Sequence, residues 1–508
     1  MPTHVRAGVA AAGRRCLVIR ARVVAAPVGF RSSSLSGWGL FFFAVSASAP
    51  MTVLVGGIIG AFAVSGMVAV PAAFLLLAVV LALVWVGHVG MAQSIRHSGP
   101  LYAHVAQGLG AVPGVSAAAV ALLSYNAIQC CLYGLFGQTM ADLGLGPWWL
   151  WALAAWALVA VAGLAPLTVT AKTLAFLLGV ELLVVLGFAL FGLGDAPGGA
   201  APGVLWPGHL LGDGVGSVLA LVVACFVGTE TTLAFAEEAV SHRVLARASF
   251  GSLAFLGVLY TLAAWAVIAV AGGVAQVNSV TATQGQQLVF GLLQHHLGVL
   301  GLVLAQLFLA TSIVAAMLSF HQTIARYTFT LSRERLLPAR LGRLAVSTGA
   351  PVGGSLAQSA IGLTVIGVCV VFGIDPANLF YYLAAVAAVG VMSLLAVNGW
   401  AGYAYFSRRR WSRSMNTRLR ALPALGGLGM SAVVLLTIGN LHAMTGAPPG
   451  SWQVWVLPAI VGAVAVAGLL WGAVISFARP QFLATIGHGE TEPLAVLAHH
   501  LVPQGSRL

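Results

Sequence analysis

The sequence predicts an all-α integral membrane protein of about twelve transmembrane helices, two of them broken and lying five spans apart. Three observations predict it. Of 508 residues, 60% are hydrophobic and only 7% are charged, whereas about a quarter of an ordinary soluble domain is charged. Apolar runs of about 20 residues, the length that crosses a hydrocarbon core, recur along nearly the whole chain, with none of the short alternating segments of a barrel. Finally, two of these runs carry residues that a plain lipid-facing helix avoids. They are Ser46-Ala47-Ser48-Ala49-Pro50 in span 1 and Gly228-Thr229-Glu230-Thr231-Thr232 in span 6.

The formal net charge is +12, and its placement matters more than its size. Arginines cluster at 6–31, at Arg96, at Arg243 and Arg247, at 333–343, at 408–420 and at Arg479, after every second span. Basic residues mark cytoplasmic loops, so these loops and both termini are expected in the cytoplasm. Asp142, Asp195, Asp213 and Asp375 fall in the intervening loops, expected outside. Anionic lipid headgroups account for such a balance, and no nucleic-acid partner is called for. Cys16, Cys130, Cys131, Cys225 and Cys369 show no ligand spacing, so they read as packing residues and no metal or other cofactor is expected.

Residues 1–35 form a basic cytoplasmic leader, residues 36–478 the transmembrane domain, and residues 479–508 a cytoplasmic tail. Span 1 (about Trp38 to Ile59) is interrupted near mid-depth by Pro50, which lacks a donor and clashes with the preceding turn; the flanking serines can satisfy freed carbonyls. Span 2 covers about Val68 to Met91 and ends at Arg96-His97-Ser98-Gly99-Pro100. Span 3 (about Gly114 to Met140) carries Tyr125, Asn126 and Gln129. Span 4 (Trp148 to Ala165) opens on a tryptophan cluster of the interfacial kind.

Span 5 begins near Val169 and contains Glu181 and Lys172, the only lysine in the chain. A lysine can surrender its proton on burial and an arginine cannot; alternatively it snorkels from a helix end. In span 6, Gly228 loosens the backbone one residue before the threonines begin. An ionised Glu230 at that depth costs about 2.5–3.5 kcal/mol. Irregular backbone inside a membrane survives only against protein or a water-filled cavity, so span 6 is expected to break around a binding site. Glu237 and Glu238 follow and are expected to be solvated. Span 7 runs from about Leu253 to Val270. The outer loop after it, Val274 to His296, is polar enough for a surface helix, and His295 and His296 read as surface residues. Span 8 (about Val299 to Leu331), spans 9 and 10 (Gly354 to Phe372, Asn378 to Phe406) and spans 11 and 12 (Leu422 to His442, Trp452 to Phe477) complete the set.

Two breaches five spans apart point to an inverted repeat, with repeat one at about 36–193, repeat two at about 214–406, and two extra spans at 421–478. Half-helix ends at the breaks would supply amides for a carboxylate and carbonyls for an ammonium or cation. A zwitterionic amino acid fits such a site.

Three stretches then resemble one family, the amino acid–polyamine–organocation (APC) superfamily, and within it the bacterial amino-acid permeases. CFVGTETTLAFAEEAV is similar to its span-6 pattern through Phe226, Gly228 and Glu230. SFHQTIARYTFTLSRERLLPARLG looks like the end of span 8 and its loop. SIRHSGPLYAHVAQGLG matches the Pro/Gly-Tyr segment at Gly99, Pro100 and Tyr102. The likeness covers about residues 36–480. It implies five-plus-five inverted repeats with two extra spans, alternating access, and substrate held between the unwound parts of spans 1 and 6. Carried over by position, Ser46, Ala47, Ser48, Ala49 and Pro50 face the substrate from span 1; Phe226, Val227, Gly228 and Thr229 do so from span 6, with Phe226 as an occluding ring. Lys172 matches the position of a span-5 lysine in proton-coupled relatives. Span 1 departs from the family's Gly-Ser-Gly, reading Ser-Ala-Ser-Ala-Pro.

The expected function is secondary active transport of an amino acid or related amine across the bacterial cytoplasmic membrane, coupled to protons through Glu230, Lys172 and Glu181. The partners are then that small solute, protons and membrane lipids. An exchanger is the nearest alternative. A proton-translocating subunit would need a longer chain of ionisable groups across the membrane. An enzyme would need a nucleophile–base pair, metal cluster or phosphate loop, and none is visible in the sequence.

Overall fold

The structure, a computed structural model, describes residues 30, 35–195, 202–345, 348–408, 413–483 and 485–488. The basic leader (all but residues 30 and 35) and the tail from residue 489 onward lie outside the described residues. Eleven helices are long and apolar enough to cross a membrane, and the shorter apolar helix Trp148–Ala162 stands where span 4 is expected. Among the described residues no β-strand forms; one isolated bridge joins Leu35 to Ala239. The protein is therefore an all-α integral membrane protein of about twelve spans.

Burial sorts the helices into a centre and a periphery. The apolar stretch of span 6 is 89% buried inside the protein and that of span 1 is 78% buried, against 22% for span 12. Spans 3, 8 and 10 pack around this centre, span 5 against spans 7 and 8, and span 2 between spans 7 and 11. The outermost helices turn leucine, valine and tryptophan outward, as at Leu470, Trp471 and Phe477, which costs nothing where the surroundings are hydrocarbon.

Both expected breaks exist, and each differs in detail from the expectation. Span 1 consists of helix Gly37–Ala47, a break at Ser48 and Ala49, and an outer half starting with Pro50–Thr52. Ala49 takes the left-handed conformation, φ 46°. Pro50 starts the outer half rather than ending the inner one, because its missing N–H and fixed φ suit the first helical position. Val53–Ile58 then widens into a π-helical turn, of the kind often found beside functional sites. In span 6, helix Val215–Ala224 stops, Gly228 turns at φ 110°, and Thr229–Phe235 continues as a 3₁₀ helix.

Span 8 is the one long exception. Gln287–Arg333 is two helices joined across a kink at Gly298, φ 63°; the first of them and the short helix Val277–Gln284 together stand where a surface helix is expected in the loop Val274 to His296. His296 there pairs with Asp195 at 2.5 Å and stacks on Phe191.

Candidate functional site

The two breaks meet. Gly228 packs so closely on span 1 that a Cβ there would stand 2.8 Å from the carbonyl carbon of Ala47. Each break also resolves its own loose backbone groups, as buried main chain must. In span 1 the Ser48 N–H donates to the Ala44 carbonyl at 3.3 Å, the Ala49 N–H to that of Ser46 at 3.1 Å, and the Tyr260 hydroxyl to that of Ser48 at 3.2 Å. In span 6 the threonines do the work expected of them. Thr229 Oγ1 donates to the Phe226 carbonyl at 2.8 Å, Thr231 Oγ1 to Gly228 at 2.6 Å and Thr232 Oγ1 to Thr229 at 3.2 Å.

An acidic side chain caps each break. Glu181 of span 5 is 1% exposed; its Oε1 accepts the Met51 N–H at 2.6 Å and the Ser312 hydroxyl at 2.6 Å. Glu230 is likewise 1% exposed. Its Oε2 accepts the Gly228 N–H at 2.9 Å and its Oε1 the Tyr125 hydroxyl at 3.1 Å. Backbone amides at a half-helix start attract negative charge, so these carboxyls sit where the local field favours them. Their donors come from four different elements: spans 1, 3, 6 and 8.

Beside the breaks lies a cavity of about 580 Å³. Ala47, Ala49, Thr52 and Val53 line it from span 1, Val227 and Cys225 from span 6, Cys131 from span 3, Phe320 from span 8 and Phe380 from span 10. Gln138, Asp142, Gln286 and Tyr381 line it as well, at helix ends on the face where the acidic loops lie. Asp142 is its single charged lining residue. Of the substrate-facing residues expected from the sequence, Ala47, Ala49 and Val227 border the cavity. Ser46, Ser48, Pro50, Gly228 and Thr229 are buried at or next to the breaks and are not among the cavity residues, and the Ser46 hydroxyl has no hydrogen-bond partner among the described residues. Phe226 points elsewhere, packing at 5.9 Å between the rings of Phe74 and Tyr260. Phe320 supplies the aromatic wall instead. Lys172 is exposed near the start of Leu167–Gly194 and is not among the cavity residues.

The basic face is shut by buried ion pairs. Here the expectation of solvated Glu237 and Glu238 is wrong. Glu238 receives Arg326 Nε at 2.7 Å and Nη2 at 3.1 Å, and Glu237 holds Arg333 through contacts of 2.8 and 3.0 Å. The partners lie 88 and 96 residues away, so nothing in the local sequence marks them. Burial works against the charge on Glu237, yet the Arg333 guanidinium outweighs it and holds the carboxyl below its ordinary value of 4.5. The Leu35–Ala239 bridge ties the halves of spans 1 and 6 on this face to each other, with Leu35 N–H to Glu238 at 3.0 Å and Val240 N–H to Leu35 at 3.2 Å.

Sequence reasoning assigned no role to four residues of this architecture. Arg326 is a fully buried arginine, 1% exposed. Tyr125 and Ser312 bind the two carboxyls, and Phe320 walls the cavity. The available signal was polarity inside apolar runs, which Tyr125 and Ser312 carry and Phe320 does not.

Among the described residues no group of three or more metal-ligating side chains forms. No curated protein matches the chain. The family model described as amino acid permease matches residues 35–483, which take in the broken spans, the cavity and the ion-paired face. This chain belongs to that amino acid permease family, of the APC superfamily, whose members carry amino acids across membranes.

Proposed function

We propose that the protein is a secondary active transporter that takes up an amino acid by alternating access, driven by protons, with Glu230 and Glu181 as the titrating groups. The observation that carries this reading is the pair of buried carboxyls, each capping one break beside the cavity. An ionised carboxylate in a dry interior is tolerated only while its donors hold it. The Met51, Ser312 and Tyr125 donors each sit on a different span from the carboxyl they hold, and these spans must part if the breaks are to open the other way. A carboxyl that loses them has to be neutral, so taking up a proton and rearranging the breaks become one event. Lys172, exposed and apart from the cavity, takes no part in this reading.

The proposed solute is an amino acid with an apolar side chain. Supporting this, the walls are mostly apolar, with alanine, valine, leucine and phenylalanine, and Asp142 at the end of its helix is the single charge. The ammonium and carboxylate would meet half-helix ends at the breaks. The proposed location is the cytoplasmic membrane with both termini on the cytoplasmic side, supported by the gathering of Arg96, Arg326 and Arg333 contacts on one face. The driving force suffices: about 2.3 kcal/mol per charge for each 100 mV, and about 1.4 kcal/mol for each pH unit.

The test is uptake of radiolabelled leucine, phenylalanine, lysine and glutamate into proteoliposomes, with and without an imposed pH gradient. The reading requires accumulation of an apolar amino acid that collapses with a protonophore. Uptake that ignores the gradient but rises with amino acid loaded inside would make the protein an exchanger.

A further inference from the structure

The chain does not simply trail away after span 12. The helix Pro480–Leu483 leads into a turn in which the His488 N–H bonds to Thr485 at 3.2 Å. The Ile486 side chain within it is 1% exposed and joins the main hydrophobic core. Gly487 takes φ 77° and lies flat on the short helix Pro100–Leu109, where a Cβ would stand 2.9 Å from Ala106 Cβ and 3.0 Å from the Ala103 carbonyl oxygen. His488 is 3.0 Å from Gln107 Nε2. A solvated tail has no use for a buried isoleucine, nor for a left-handed glycine against another helix's backbone.

The decisive contact is the Gly487 N–H, which donates to Glu334 Oε1 at 3.0 Å. Glu334 is 3% exposed and holds two more donors, His97 Nε2 at 2.7 Å and the Tyr102 hydroxyl at 3.1 Å. One carboxylate thus fastens the tail, the loop after span 2 and the end of span 8. The next residue back, Arg333, grips Glu237. Opening the basic face requires Glu237 and Glu238, after span 6, to leave Arg333 and Arg326, which is harder while the helix end that carries Arg333 is pinned.

We infer that residues Thr485–His488 are a strap that holds the basic face closed and so biases the protein toward the state with its cavity open on the opposite face. The inference rests on the alternating-access reading, and its test uses no solute, so the two can fail separately. Thr52, a half-buried cavity residue next to the span-1 break, is replaced (Thr52→Cys) in a chain whose native cysteines are all changed to alanine, because Cys131 and Cys225 line the same cavity. Three backgrounds are compared: that full chain, the same chain with Gly487→Val, and the same chain ended at Leu483. A charged, membrane-impermeant thiol reagent is added to the face bearing the C terminus. In the two altered backgrounds labelling is expected to rise about fivefold, the worth of one lost buried hydrogen bond, and to fall from the opposite face. Equal labelling in all three overturns the strap. So does a rise in Gly487→Val alone, because that would make the added bulk, not the lost contact, the cause. A protein that labels as expected yet takes up no amino acid keeps the strap and loses the transport reading.

Discussion

Gly228 of span 6 rests directly on Ala47 of span 1, so that the two interrupted helices touch at their interruptions. Its φ of 110° is closed to side-chain-bearing residues, and the added carbon would enter the Ala47 carbonyl. Strain of about 1–2 kcal/mol from the backbone adds to about 1–3 kcal/mol from overpacking. Gly228→Ala is expected to lower the unfolding temperature in detergent and to abolish uptake. Fluorescence-detected thermal unfolding and a single uptake time point check both.

The two carboxyls separate shape from charge. Glu181→Gln and Glu230→Gln keep an oxygen for the Met51 and Gly228 amides but cannot titrate. Each is expected to retain exchange of labelled for unlabelled amino acid while losing accumulation driven by a pH gradient. Lys172→Ala, at an exposed position, is expected to keep both. Counterflow and gradient-driven uptake measured side by side decide it.

Arg326 and Glu238 form a buried pair of 1% and 6% side-chain exposure. Removing one partner strands the other, a loss of about 3–5 kcal/mol. Arg326→Met alone is expected to destabilise the protein severely, while Arg326→Met combined with Glu238→Leu recovers most of the stability. The recovered double variant should nevertheless open its basic face more readily, which thiol labelling of that face reports.

Acid should loosen the same face through Glu237. Its folded value lies below the unfolded 4.5, so the stability it adds is complete above that pH and disappears as the pH falls through the lower folded value. The protection of the segment around Ser98, whose N–H bonds to Glu237 at 3.0 Å, taken as its hydrogen-exchange rate relative to the intrinsic rate at the same pH, is expected to fall below pH 4.5. Glu237→Gln should show fast exchange at every pH.

How much of this was legible in the sequence follows from the range of the interactions. Breaks are local: Pro50, Gly228 and a run of threonines have no other reason to sit mid-membrane, and the structure bends at both. Membrane spans are also local, needing only length and hydropathy. The pairing of Glu238 with Arg326, or of Glu181 with Met51 across 130 residues, is a property of helix packing, which no single segment encodes. The direction of Phe226 was missed for a related reason. The helix has already ended at Ala224, so the place of Phe226 in the motif does not say which way its ring points.

The account stands on solute docking against the opened main chain of both breaks. Hydrogen–deuterium exchange with and without a saturating apolar amino acid tests this most directly, read on peptides covering residues 46–53 and 225–231. Bound solute is expected to slow exchange in both peptides together, and more than anywhere on the periphery. Solute that binds while leaving both peptides unchanged, or that protects only a distant surface, contradicts the account.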